Sequence, residues 1–158
     1  MVKLPFQLIC VKGAVFLWID YKFPDGEERN KYIIILSKDN EIEPIFLVLT
    51  TSKVKEFYKT NRSLYTEYYT ISANEYEWFS KDTLLDFSKI ISYKINDLSL
   101  GYEADRLRYI GTLKEKHLKE IDEIVYKSEI IEDYKIERIV SNLPLRACLK
   151  ININLFCS

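Results

Sequence analysis

The sequence predicts a mostly β, α+β fold in which a small, strongly bent sheet or barrel carries helices at its C-terminal end. Three observations lead there. Residues 31–37 and 44–50 are two continuous apolar runs flanking Lys38-Asp39-Asn40-Glu41, a turn composition, which reads as an antiparallel pair near the middle of a sheet. Further short aromatic or β-branched stretches follow. Beyond Gly111 the period changes, with Leu113, Leu118, Ile121, Ile124 and Val125 recurring at helical spacing opposite a charged face.

The elements follow in order. Residues 14–21 hold Val15, Phe16, Trp18 and Ile19, side chains that fit a half-buried pleated surface, and Pro24-Asp25-Gly26 ends the stretch. Residues 25–30 form a polar loop. After the central pair, residues 51–57 loosen into a polar turn or short helix, and residues 68–72 return to a short strand. Asn74 is placed to cap a short helix over 74–79. Residues 82–87 and 90–95 read as two extended pieces, and a helix is expected over 114–127. Residues 130–140 continue the amphipathic pattern as a second helix, and residues 144–158 form an edge strand or a tail outside a single domain over 1–143.

The chain has 158 residues, 47% of them hydrophobic, enough for one core without staples. No apolar run approaches the roughly 20 residues of a membrane span. Lys and Arg number 23 against 24 Asp and Glu, so no global positive field draws nucleic acid, and any such site is local. Cys10, Cys148 and Cys157 share no metal-ligand spacing, and with no secretion signal they point to reduced thiols in the cytoplasm. There is no Gly-rich phosphate loop, His/Cys metal cluster or nucleophile elbow, and neither metal nor cofactor is expected.

Three pieces of sequence carry a resemblance. They are Gly13-Ala14-Val15-Phe16-Leu17-Trp18-Ile19-Asp20 with Lys31-Tyr32-Ile33-Ile34-Ile35-Leu36-Ser37 after a loop, then Leu49-Thr50-Thr51-Ser52-Lys53, and last Arg106-Leu107-Arg108-Tyr109-Ile110-Gly111-Thr112-Leu113. In this order they resemble the MazF/PemK (Kid) family, the ribosome-independent endoribonucleases of toxin–antitoxin modules. The resemblance implies an SH3-like small β-barrel of the MazF/CcdB kind, a homodimer, and metal-independent cleavage of single-stranded RNA held in check by an antitoxin protein. It implies two alternatives as well: a catalytically silent protein-binding module of the same barrel, and a CcdB-like toxin acting on a protein target. Two departures stand out, Ala14 where the family has Asp and Lys31-Tyr32 where it has Arg-Pro.

Metal-free RNA cleavage needs a base, a cation for the phosphorane and an acid for the leaving oxygen. His117 is the only histidine, and its charged neighbours place it on the solvent face of the predicted helix. Carboxylate, cation and hydroxyl then share the work, as the resemblance implies: Glu27 and Glu28 as base, Arg29 or Lys31 as phosphate cation, Thr50 or Thr51 as positioning hydroxyl or proton relay. Lys31 acts as a point charge, or Arg29 supplies the guanidinium, or activity is lost. For RNA binding the candidates are Lys53, Arg62, Tyr65, Tyr68 and Trp78, because exposed rings beside cations grip single strands by stacking.

Overall fold

The computed structural model describes residues 2–54 and 67–143. After a single helical turn, α1 (Phe6–Ile9), come the strands β1 (Ala14–Lys22), β2 (Glu28–Ile35) and β3 (Ile45–Thr51). A second group holds β4 (Tyr68–Ile71), a 3-10 turn at Ala73–Glu75, β5 (Thr83–Asp86), a 3-10 turn at Phe87–Lys89 and β6 (Ile91–Tyr93). Helix α2 (Ile95–Glu103), strand β7 (Leu107–Thr112) and helices α3 (Glu115–Lys127) and α4 (Asp133–Ile139) complete the described chain. All pairings are antiparallel and the order is β4-β5-β3-β2-β1-β7. Strand β6 shares the edge of β3 that β5 uses, pairing with Ile45, Phe46 and Leu47 while β5 takes Thr50 and Thr51.

The sheet is open, since β4 and β7 stand at opposite ends of that order and do not pair. This corrects the expected SH3-like barrel of the MazF/CcdB kind, although the mixed α+β composition stands. The physical reason lies in the apolar runs themselves. Ile33, Ile34, Ile35 and Leu36, like Ile45, Phe46, Leu47 and Val48, are each at most 1% exposed, so both faces of the central strands are covered. A strand buried on both faces reads as a continuous apolar run, whereas one in a barrel covered on one side alternates. On one face Val15, Ile34, Phe46 and Val48 pack with Leu113, Ile121, Val125 and Ile139 of the α3–α4 end. On the other Phe16, Ile33, Ile35 and Leu47 pack with Phe6, Ile9, Leu98 and Tyr102 from α1 and α2.

Helix α2 escapes the sequence reading because its hydrophobic face is narrow: in nine residues only Leu98 and Tyr102 are buried. The helix expected over 114–127 and the one over 130–140 are present as α3 and α4, and the capping Asn74 begins no helix beyond the 3-10 turn. Residues 28–30, expected in a loop, extend β2 instead. At the far end of the molecule Lys12 is drawn into an ion pair with Asp122 and also donates to Ser141 Oγ at 2.7 Å. Close by, the Arg138 guanidinium donates to the carbonyls of Ile42, Glu43 and Pro44 and lies over the Phe46 ring.

No helix among the described residues is long and apolar enough to cross a membrane. The expected tail, residues 144–158, lies outside the described residues, as do Cys148 and Cys157, and Cys10 is buried.

Candidate anion-binding cleft

Where β2 begins and β3 ends, the two strands and the segment leading into β5 enclose a cleft of about 270 Å³. Asn30, Lys31, Tyr32, Thr50, Ser52, Phe79, Ser80, Lys81 and Thr83 form its wall. Tyr32 holds the wall together, its hydroxyl donating to the Trp78 carbonyl at 3.2 Å and its ring meeting Phe79 edge to face. Two threonines turn their protons away from the space. Thr50 Oγ1 donates to the Tyr32 carbonyl at 3.1 Å and Thr83 Oγ1 to the Lys81 carbonyl at 3.1 Å. Asn30 Oδ1 receives the Asp20 N–H at 3.0 Å, which leaves the Asn30 amide protons as donors.

Lys31 is the central cation. Its Nζ donates to the Thr50 carbonyl at 3.0 Å, and no carboxylate lies within ion-pair distance of it among the described residues. Burial first, then the positive charges of Arg29 and Lys53, pull its pKa below the ordinary lysine value. Arg29 is more solvated and stays 3.6 Å from a Glu27 carboxylate oxygen, a surface pair of little energetic weight. Lys31 and Lys81 line the recess, with Arg29 and Lys53 acting on Lys31 through charge, an arrangement that an anion completes.

A row of aromatic rings runs from this cation group along the sheet. Tyr93 and Trp18 lie with centroids 5.2 Å apart, Trp18 and Tyr21 also 5.2 Å, and Tyr21 and Phe23 5.0 Å. Arg29 sits 4.5 Å and Lys31 5.7 Å from the Phe23 centroid, cations over a ring face. The row depends on a β-bulge. In a regular strand Trp18 and Tyr21, three residues apart, point to opposite faces, but the register with β2 slips between them and Asp20 takes a left-handed conformation at φ 53°. Burial and a hydrogen bond with Tyr21 push the Tyr93 phenol well above its ordinary pKa.

The chain matches no family model and no curated protein. With the sheet open, this overturns the resemblance to the MazF/PemK family and every function that rested on its barrel. The metal-independent endoribonuclease under antitoxin control, the silent barrel module and the CcdB-like toxin are all withdrawn.

The residues singled out from the sequence separate into groups. Lys31 and Thr50 meet in the cleft, with Arg29 and Lys53 acting on Lys31 through charge. Glu27 and Glu28 are exposed at the β1–β2 turn, where Glu27 pairs with Arg29 and Glu28 faces Lys22 across the ladder. Thr51 Oγ1 is engaged locally, accepting the Lys53 N–H at 3.2 Å. Tyr68 is 7% exposed and Trp78 packs on the core beside Gly111, so neither offers a free ring face for stacking. Arg62 and Tyr65 lie outside the described residues. No cluster of three or more His, Cys, Asp or Glu side chains fit for a metal occurs among the described residues.

His117 departs from its expected place as well, being only 4% exposed. The Lys114 N–H donates to the Tyr76 hydroxyl at 2.8 Å, and that phenol lies 2.5 Å from His117 Nδ1. Assigned from this network, the phenol donates to Nδ1 of a neutral imidazole protonated on Nε2. Burial, the largest influence, lowers the His117 pKa.

Sequence reasoning missed Lys81, Asn30 and the ring row. Lys81 and Asn30 carry no motif and join the cleft only through the tertiary course of residues 78–83. The row was signalled weakly by Trp18-Ile19-Asp20-Tyr21, where an Asp interrupts an otherwise apolar strand.

Proposed function

We propose that this protein binds a phosphate-bearing ligand in the cleft, with Lys31 as the central cation and Arg29, Lys53 and Lys81 around it. One observation carries the reading: Lys31 is half-buried at the wall of a recess, beside other cations and with no carboxylate partner among the described residues. Taking an ammonium out of water is unfavourable unless something compensates it, and an entering phosphate does so. Phe23, half-buried beside Arg29 and Lys31, favours single-stranded RNA as the ligand, a base lying against that ring while a phosphate meets the cations. The reading claims binding and no bond-breaking step. A cytoplasmic setting, expected from the cysteines, accords with such a ligand.

The test is a fluorescence titration with inorganic phosphate, pyrophosphate and a short single-stranded RNA, at several salt concentrations. Lys31→Gln is expected to weaken RNA binding about tenfold or more and to flatten the slope of log affinity against log salt by about 0.7. Unchanged affinity and slope in that variant, with its fold intact by circular dichroism, would overturn the assignment. Binding of phosphate and pyrophosphate without RNA would keep the cleft and remove the polymer.

A further inference from the structure

We propose that Lys31 is an acylation site: its amine takes the acyl group of a small acyl phosphate held in the cleft, and the amide so formed switches phosphate binding off. The proposal rests on the phosphate-binding reading and adds to it a reaction and a means of regulation.

Lys12 and Lys31 are both drawn out of water, and their surroundings differ. Lys12 commits its protons to Asp122, to the Ile139 carbonyl at 2.8 Å and to Ser141 Oγ at 2.7 Å. Burial lowers the Lys12 pKa as well, opposed by the hydrogen bond and charge of Asp122, and its donors are committed to three partners. Lys31 makes one hydrogen bond among the described residues, to the Thr50 carbonyl. A carbonyl is satisfied by a neutral amine as well as by an ammonium, so that bond survives loss of the proton. Burial and the charges of Arg29 and Lys53 favour the loss, and the neutral amine then carries an uncommitted lone pair. A lysine activated by desolvation and a neighbouring cation is a recognised form of nucleophile.

The cleft adds selectivity. Lys81 in the cleft wall, with Arg29 and Lys53 near Lys31, attracts an anionic donor, and about 270 Å³ admits a molecule of a few heavy atoms. In the step, the Nζ lone pair forms a C–N bond to the acyl carbon. The bond from that carbon to the phosphate oxygen breaks, its electron pair leaves on phosphate, and the surplus proton on nitrogen passes to phosphate or water. The product amide is uncharged, so the central cation of the cleft is deleted.

The experiment exposes the whole protein to acetyl phosphate and, in parallel, to the uncharged N-hydroxysuccinimide ester of acetic acid. Peptide mass spectrometry reads the acetylation rate at each lysine. Lys31 is expected to react about tenfold or more faster than the exposed Lys89 with acetyl phosphate, with added inorganic phosphate slowing Lys31 alone. Equal rates at Lys31 and Lys89 would overturn the proposal, and a phosphate titration that still saturates would show that the binding reading survives it. Rapid reaction of Lys31 with both donors and no protection by phosphate would overturn both.

Discussion

His117 shows how a single side chain links packing to solvent conditions. Its ring sits between Tyr69 and Tyr76, with Glu75, Lys114 and Lys116 the charged groups acting on it and no carboxylate hydrogen-bonded to it. A protonated imidazole would lose the Nδ1 acceptor that receives the Tyr76 phenol. The folded-state pKa lies below the ordinary value near 6.5, so above that pH both folded and unfolded chains hold the ring neutral and its contribution is intact. As pH falls below about 6.5 the unfolded chain takes up the proton first, and stability declines through the folded-state pKa. Thermal melts at about pH 7.5 and pH 5 should show a larger fall for the natural protein than for His117→Gln; equal falls would mean the ring titrates freely. The sequence reading put the ring on the solvent face, although Leu113, His117, Ile121 and Val125 recur every four residues and are all buried. The charged residues either side of His117 masked that spacing.

Among the elements, α3 helps cover its face of the sheet. Ile121 and Val125 are fully buried and face Val15, Ile34 and Phe46 of the central strands. Ile121→Ala removes three carbons from a close-packed layer and should cost about 2–5 kcal/mol, read as a lower urea midpoint at unchanged slope. A cost below about 1 kcal/mol would mean the helix is not fixed on the sheet. This helix was legible from its repeated spacing, and the central pair β2–β3 from two unbroken apolar runs either side of a turn composition. The sheet's closure was not, since continuous apolar runs fit any arrangement that covers both faces of a strand. Of the cleft, Lys31 and Thr50 were singled out from the sequence as polar residues at the ends of apolar strands. The ring row was not: it exists only because the ladder slips at Asp20, and no pattern of period two announces a bulge.

At the scale of the whole molecule, long-range polar contacts join the two layers beneath and above the sheet. Lys12, between α1 and β1, reaches Asp122 of α3, and Arg138 of α4 grips the carbonyls of Ile42, Glu43 and Pro44 ahead of β3. Arg138→Ala strips those carbonyls of their donor and should cost about 1–3 kcal/mol, with faster amide exchange in β3 as the local readout. Arg138→Lys should recover part of the loss, because one ammonium replaces a planar fork with five donors. Unchanged exchange in β3 would show that water serves the carbonyls equally well.

The Arg138 contact also sets an order of events during synthesis. Its partners lie 94 to 96 residues earlier in the chain, so the β2–β3 turn leaves the ribosome long before the side chain that fastens it exists. Chains generally fold from the N-terminal side as they are made. Here the first strands must wait, paired but unfastened, until nearly all of the described chain has emerged. The interval during which Phe46 and its neighbours stand uncovered is therefore set by the rate of translation and by how soon a chaperone or helix α4 arrives.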